Sequence, residues 1–321
     1  TPPTCCTSVP AASACSAREV VYNGWRCIEL SNGRIDVVVA PRLGGRIVQL
    51  RLDGFEHLWV NRELEGVVAG GTLEGKWANY GGDKLWPAPQ GWSGPAEWPC
   101  PPDPIALGGA TDSGAFEATV LDRGPGNAAV RLVGPLDRYA GVRFSREIRI
   151  ESGSTSVRLV SLMTNASDRP VRWGIWQVNQ HDARPGGAGV ADAPFESDLV
   201  AWVPLSRQSA FDRGFRTMFG ADPNPQFAVE ESDGARTFVL RYAHQVGKAA
   251  LDPRSGWLAV GHERSRRLFV HTFDPQPSAE HPDGAGVELW ASGPGRIVLG
   301  TTPVEMTDAE PWLIESEVLS P

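Results

Sequence analysis

Short runs of apolar residues at every second position constrain the fold of this chain more than any other feature. Residues 142–150 and 156–164 show this alternation, which is typical of strands with one buried face. Turn signals such as Ser-Asn-Gly at 31–33 and Ser-Asp-Gly at 232–234 separate the runs. No segment has a sustained helical apolar stripe with caps, so we expect at most a turn or two of helix, within 206–218.

Strand-like runs recur at hairpin spacing along nearly the whole chain. They are residues 18–22, 34–40, 46–52, 116–121, 128–134, 142–150, 156–164, 171–178, 236–242, 257–263, 267–273, 287–291, 296–302 and 311–319. This pattern predicts an all-β fold, a large antiparallel β-sandwich. The glycine-rich stretch 184–194 is interpreted as a loop, because strand patterning resumes after it. We therefore predict one domain over 17–321, preceded by a flexible tail over 1–16.

The first fifteen residues are rich in Pro, Ser and Thr and contain Cys5, Cys6 and Cys15. Such a segment is typical of what remains after a secretory signal is removed, so we expect a periplasmic or secreted protein. The cysteines could form disulfides in that oxidising compartment. With five cysteines in all, at least one thiol stays unpaired. The alternative to a disulfide for Cys27 is a buried position in a strand.

Composition excludes several classes of partner. The 321 residues carry 30 basic and 38 acidic side chains, for a net charge of −8, and no basic stripe suggests nucleic acid. No run approaches the roughly eighteen apolar residues of a membrane span. Histidines and cysteines lack the spacing of zinc ligands. We expect no cofactor and no metal site, and the oligomeric state and any structural calcium are left open.

The segment 77–103 concentrates tryptophan, glycine and proline. Four of the twelve tryptophans lie in it, beside polar residues that include Asn79 and Lys84. Because the flat apolar face of a sugar ring packs on an indole while its hydroxyls need fixed donors and acceptors, this loop predicts a site for a mono- or oligosaccharide. The alternative is a structural loop that closes one end of the sandwich. The four tryptophans are Trp77, Trp86, Trp92 and Trp98.

A second candidate site follows the run 171–178. Gln177, Asn179 and His181 alternate onto one face of the predicted strand. Three hydrogen-bonding side chains on one face are costly to bury without partners, and a polar ligand would supply them. The alternative is that this face is the solvated side of the sheet.

A third candidate is Glu288, which points away from the face of Val287 and Leu289 and shares its own face with Trp290. If that face lines a cleft, burial should raise the carboxyl pKa and suit it to general-base work. The alternative is a solvated outward carboxylate. His244 and Lys248 are further candidates.

Taken in order, several motifs resemble the galactose mutarotase-like (aldose 1-epimerase) superfamily. The resemblance is carried by APRLGGRIVQLRLDGFEHLW at 40–59, WANYGGDKLWP at 77–87, RPVRWGIWQVNQH at 169–181, LDPRSGWLAVGHERSRRLFVHTF at 251–273 and GVELW at 286–290. It implies a galactose mutarotase-like supersandwich over most of the chain. It also suggests an uncharacterised bacterial branch of that superfamily.

The resemblance also implies site residues. Glu288 would take the proton from the anomeric hydroxyl as general base, and His181 would protonate the ring oxygen as general acid. Further contacts to hydroxyls, a carboxylate or a sugar ring are implied for Arg46, Asn79, Lys84, Trp86, Trp92 and Trp98.

One family element departs from the pattern. In IALGG at 105–109, Ala106 stands where the epimerases carry another active-site histidine. Three hypotheses follow: an aldose 1-epimerase-like enzyme, a non-catalytic glycan-binding domain, and a lyase or hydrolase of an acidic polysaccharide.

Overall fold

The computed structural model describes residues 14–70, 72–73, 76–91, 94, 96–99, 110–184, 197–253, 255–276, 280–299 and 302–321. Within these ranges the chain forms 24 strands and one 3-10 helix, Arg62–Leu64. The strands are β1 (Ser16–Tyr22), β2 (Trp25–Ser31), β3 (Ile35–Ala40), β4 (Arg46–Leu52), β5 (Phe55–Glu56), β6 (Thr72–Leu73), β7 (Lys76–Trp77), β8 (Asp83–Ala88), β9 (Glu117–Arg123), β10 (Asn127–Asp137), β11 (Val142–Glu151), β12 (Val157–Asn165), β13 (Gly174–Asp182), β14 (Leu199–Pro204), β15 (Phe215–Gly220), β16 (Phe227–Ser232), β17 (Ala235–Arg241), β18 (Gly247–Leu251), β19 (Trp257–His262), β20 (Arg267–Thr272), β21 (Val287–Ala291), β22 (Gly295–Leu299), β23 (Thr302–Met306) and β24 (Leu313–Ser320).

Three antiparallel sheets carry the fold. The large sheet has 11 strands, with the main order β1-β2-β3-β4-β8-β13-β24-β21-β18-β15 and β5 paired to β4. A four-stranded sheet has the order β12-β11-β10-β9, and a five-stranded sheet has the order β16-β17-β14-β19-β20. The all-β, large antiparallel sandwich predicted from the alternating runs is confirmed.

The two smaller sheets pack side by side on one face of the large sheet and bury two hydrophobic cores. In the first core, Ile47 of the large sheet packs with Val130 and Phe144 of the four-stranded sheet. In the second, Leu289 of the large sheet packs with Phe238 of the five-stranded sheet. Both cores follow from the period-2 pattern, which points alternate apolar side chains to the same side of each strand.

The opposite face of the large sheet is covered only in part. Over β2 to β4 it is closed by the segment that follows β5, where Val60 and Tyr80 pack with Trp25 and Val48. Over β13, β24, β21 and β18 the same face carries polar and aromatic side chains and borders a cleft. The coverage of this face therefore decides where a ligand can reach the sheet.

The tryptophan-rich segment is not wholly irregular, contrary to its description as a loop. Residues 83–88 form β8, a buried strand in the middle of the large sheet. Pro87 is tolerated because β8 pairs with β4 only at Ile47 and Asp83, so the missing N–H of Pro87 leaves no gap in that ladder. The helix allowed within 206–218 is absent there; those residues form turns and the start of β15.

Most of the proposed tail, including Cys5 and Cys6, lies outside the described residues, and so does Cys100. The predicted division at residue 17 stays a prediction. Cys15 and Cys27 are free thiols and both are buried. Burial raises the pKa of Cys27 to about 12, so this thiol stays protonated at neutral pH. Over the described ranges, no helix has the length and apolar character needed to cross a membrane.

Candidate functional site

A cleft of about 740 Å³ opens on the partly covered face of the large sheet. This volume lies in the usual range for small-molecule sites. Aromatic side chains make up much of its wall, since six indoles border it: Trp59, Trp77, Trp86, Trp176, Trp290 and Trp312. The cleft is thus an aromatic-walled site open to solvent.

The floor of the cleft is built by strand register. Lys248, Trp290, Glu315 and Gln180 are successive partners across β18, β21, β24 and β13, so they form one row on the cleft face, which we call the floor row. Gln180 donates a hydrogen bond to the Glu315 carboxylate. Because the side-chain period of a strand is two, the next row on the same face contains Glu288 and Glu317.

A lysine between two carboxylates connects these rows. The Lys248 Nζ lies 2.6 Å from Glu288 Oε2 and 2.9 Å from Glu317 Oε2. The Glu317 Oε2 also accepts a hydrogen bond of 2.9 Å from the Trp176 indole N–H. Lys248 Nζ is 4.8 Å from the Trp176 ring centroid. We call Lys248, Glu288 and Glu317 the buried triad.

The triad holds two acidic groups with a single cation. Burial raises the pKa of Glu317 well above its ordinary value, and Lys248 offsets this only in part. Burial also disfavours the Lys248 ammonium, but Glu288 and Glu317 together hold its pKa above the ordinary lysine value. Lys248 therefore stays charged, while burial favours the protonated form of Glu317.

Asp112 fixes one aromatic wall. Its Oδ2 accepts a 2.9 Å hydrogen bond from the Trp77 indole, and its Oδ1 accepts one of 3.0 Å from the Trp86 indole. Arg46 lies 3.3 Å from Asp112 Oδ1 and balances the charge. Arg46 itself is completely buried, and it donates to the carbonyls of Leu43, Gly81 and Asp112. Arg46 thus stabilises the position of Asp112 and, through it, the two indoles.

Lys84 lies between two of these indoles. Its Nζ is 4.6 Å from the Trp77 ring centroid, 4.4 Å from that of Trp86 and 3.5 Å from Asn79 Oδ1. Burial lowers the pKa of Lys84 to about 8, against the opposing effect of carboxylates such as Glu315. Asn79 and Trp86 border the cleft, whereas Lys84 is fully buried beneath it.

The structure does not bring the expected acid and base together. His181 is the register partner of Ile314, whereas Glu288 shares its row with Glu317 on the opposite face of the large sheet. The His181 ring is buried towards the five-stranded sheet, 4.9 Å from the Phe269 ring centroid, and its Nε2 lies 2.8 Å from Ser316 Oγ. The prediction that these two residues act across one cleft is therefore contradicted by the alternation of the strands.

Other predicted contacts also lie away from the cleft. Gln177 and Asn179 share one face with His181, as expected, but that face is the sandwich interior, where Gln177 donates to Asp83 at 2.6 Å. Trp98 is completely buried and donates to Asp137 Oδ2 at 3.1 Å. Trp92 and Ala106 lie outside the described residues. Trp290 is a cleft residue, as its sequence position suggested.

Sequence reasoning missed four residues of the site: Asp112, Trp176, Glu315 and Glu317. The run LIESEVLS at 313–320 did contain a signal, because its two glutamates are spaced by two and must share a face. Asp112 gave none, since its three partners are distant in sequence. Among the described residues, no group of three or more His, Cys, Asp or Glu side chains is placed to hold a metal ion.

Comparison with known families places the chain. A family model described as a domain of unknown function, DUF4380, matches residues 26–306. The chain belongs to the DUF4380 family. No match was found among curated proteins.

Solved structures support the fold. A putative aldose 1-epimerase from Klebsiella pneumoniae is 12% identical with a TM-score of 0.54, over 95% of this chain and 83% of that one. A protein from Synechocystis sp. PCC 6803 is 11% identical with a TM-score of 0.51, over 95% and 97%. A TPR-domain containing protein from Parabacteroides distasonis is 13% identical with a TM-score of 0.52; 92% of this chain matches about half, 47%, of that one. At these identities the similarity shows a shared fold.

Proposed function

We propose that this protein binds a carbohydrate in the cleft over the large sheet. The observation that carries the proposal is the floor row, in which Trp290 lies beside the hydrogen-bonding groups of Gln180 and Glu315 under a wall of further indoles. A sugar ring has flat apolar faces, which pack on an indole, and a rim of hydroxyls, which need hydrogen-bonding partners.

Three of the six indoles that border the cleft are oriented by hydrogen bonds to carboxylates, which favours a binding role over simple packing. Asp112 accepts from two of them and Glu317 from a third, Trp176. Trp176 and Trp86 lie 5.2 Å apart in an edge-to-face arrangement. A wall that is already rigid loses little conformational entropy when a ligand binds.

Calorimetric titration with a panel of neutral, acidic and amino oligosaccharides tests this proposal. We expect at least one to bind, and we expect Trp290→Ala to weaken that binding about tenfold by removing a stacking surface. Trp257→Ala is the matched control, because Trp257 is an exposed indole on the five-stranded sheet, away from the cleft. Failure of the whole panel, or equal losses in the two variants, would refute the proposal.

A second candidate function, isomerisation at the anomeric carbon, is favoured by the acidic pair of β24. Glu315 and Glu317 share the cleft face, and burial raises the pKa of Glu317 so that it can hold a proton. Glu315 would accept the proton of the anomeric hydroxyl while Glu317 donates one to the ring oxygen. The C1–O5 bond then breaks to give the open-chain aldehyde, rotation about the C1–C2 bond turns its other face to O5, and the ring recloses with both proton transfers reversed.

Polarimetry of fresh α-anomers of common aldoses tests this candidate. We expect the protein to accelerate mutarotation, and Glu317→Gln to abolish the acceleration because an amide cannot donate the proton. His181→Gln should retain it, since His181 faces the sandwich interior. No acceleration with any aldose would remove this candidate while leaving carbohydrate binding intact.

A further inference from the structure

The cleft carries far more negative than positive side chains. Seven carboxylates and three basic groups border it. One of the three basic groups, Lys248, is already bound between Glu288 and Glu317. A neutral sugar would leave this excess of acidic groups without a counter-charge.

Glu315 is the carboxylate best placed to meet a ligand. It lies in the middle of the floor row, partly exposed, with Trp290 on one side and Gln180 on the other. No lysine or arginine of the described residues forms an ion pair with it. The neutral amide of Gln180 donates to one of its oxygens, so Glu315 retains acceptor capacity towards the cleft.

Glu317 supplies an independent observation. Its side chain is only 1% exposed, and its Oε2 is bound by Lys248 and Trp176. Its Oε1 is buried and has no hydrogen-bond partner within the described part of the chain. A buried polar oxygen without a partner costs free energy. Glu317 borders the cleft, and a ligand ammonium beside it would favour the ionised carboxylate and donate to Oε1.

The surrounding rings suit a cation. The faces of indoles attract ammonium groups, and two lysines of this site already use them: Lys248 over Trp176 and Lys84 over Trp77 and Trp86. Trp290 lies next to Glu315 and has no lysine or arginine over it in the described structure. The Trp290 ring contacts Phe219 edge-to-face, with 6.1 Å between the ring centroids, and lies beside the Glu315 carboxylate on the floor.

We infer that the carbohydrate bound in this cleft is an amino sugar, whose protonated amine is held by Glu315 and Glu317 Oε1 beside the Trp290 ring. This inference rests on the proposed carbohydrate-binding function. It specifies the substrate class as cationic, in contrast to the acidic polysaccharide considered from the sequence. Arg46 and Lys84, the basic residues for which the resemblance implied ligand contacts, are both fully buried in contacts with the protein.

Paired ligands test the inference. Glucosamine oligomers and N-acetylglucosamine oligomers of equal length share linkage and ring shape but differ in the amine charge at mildly acidic pH. We expect the free-amine oligomer to bind at least about tenfold more tightly, as is usual for a hydrogen bond to a charged group. Equal or weaker binding of the free-amine oligomer would overturn the inference.

Variants assign the preference to the site. We expect Glu315→Gln to reduce the ratio of the two affinities to near one, because the neutral amide no longer attracts the ammonium group. Glu305→Gln, at an exposed position on β23, is the matched control for the overall negative charge of the protein and should keep the ratio. A ratio that persists in Glu315→Gln would also overturn the inference.

The two proposals fail differently. If neutral oligomers bind and the amine gives no advantage, the amino-sugar inference is wrong and carbohydrate binding stands. If neither charged nor neutral oligomers bind, and a cooperative thermal melt shows that the protein is folded, both the amino-sugar inference and the carbohydrate-binding proposal are wrong.

Discussion

At the scale of single residues, one position along a strand decides between core and cleft. Gln180 borders the cleft, whereas its neighbour His181 is buried between two sheets. His57 lies near the same interior ring, Phe269, at 6.5 Å between centroids, and close to Phe55, at 4.9 Å. Histidines in such surroundings are held neutral by burial and do not act as acids at neutral pH.

The buried, neutral state of His57 should contribute to the pH dependence of protein stability. Burial lowers its pKa to about 4, so below its ordinary pKa near 6.5 the unfolded state binds a proton that the folded state does not. Stability from this group is present at neutral pH and is lost as pH falls from about 6.5 towards 4. Between pH 7 and pH 4, we expect the free energy of unfolding to fall by about 2 to 3 kcal/mol less in His57→Phe than in the wild type. Urea unfolding at both pH values measures this, and parallel losses would contradict it.

Asp112 gives a second residue-scale prediction. Asp112→Asn removes the charge that balances buried Arg46 and weakens the acceptors of two indoles. We expect a loss of about 3 to 5 kcal/mol, the usual cost of leaving a buried charge unpaired. Chemical unfolding measures the change. Glu19→Gln, at an exposed position on β1, should change stability by less than about 0.5 kcal/mol, and a similarly small effect at Asp112 would refute the argument.

At the scale of elements, the buried triad joins β18, β21 and β24 on the cleft face. The strands that carry it also pair by backbone hydrogen bonds, with Lys248 opposite Trp290 and Glu288 opposite Glu317. Two carboxylates at directly opposed positions would repel each other, so the ammonium between them is required for this register.

Lys248→Met tests that requirement. Without the ammonium, Glu288 and Glu317 are buried with no counter-charge, and we expect a loss of about 3 to 5 kcal/mol at neutral pH. Lys248 lowers the pKa of Glu317, so losing the cation raises that pKa further in the folded state, and the variant gains stability relative to the wild type as pH falls. The difference between the two proteins should therefore shrink in acid. A difference that is constant with pH would show that Lys248 acts through packing alone.

At the scale of the whole molecule, one large sheet contributes to both cores. Phe144 lies in the core under the four-stranded sheet and Phe238 in the core under the five-stranded sheet, and both are fully buried. Because strands β13 and β24 link the two halves of the large sheet, we expect the cores to unfold together.

Truncation of each core tests this cooperativity. Phe144→Ala and Phe238→Ala should each cost about 3 to 5 kcal/mol and should each shift a single calorimetric transition downwards. This outcome would support the predicted single domain over 17–321. Two separate transitions, with each variant moving only one, would instead divide the molecule into two units.

The sequence was sufficient for the fold because alternation is local. The runs at 142–150 and 287–291 became strands over nearly the same residues. Strand β8 was missed because Pro87 and the flanking glycines argue against a strand, and only the arrangement of β4 and β13 makes the position acceptable. For the site, alternation correctly placed Glu288 and Trp290 on one face, and Gln177, Asn179 and His181 on another.

By itself, the sequence determined the all-β class, the strand periodicity and which side chains share a face of their own strand, because each depends on neighbours a few residues away. Only the tertiary structure decided which face is covered. The five-stranded sheet buries His181, while the other face remains open over Lys248, Trp290 and Glu315. That choice depends on contacts between strands distant in the chain. It makes one face of the large sheet the sandwich interior and the other face the floor of the cleft.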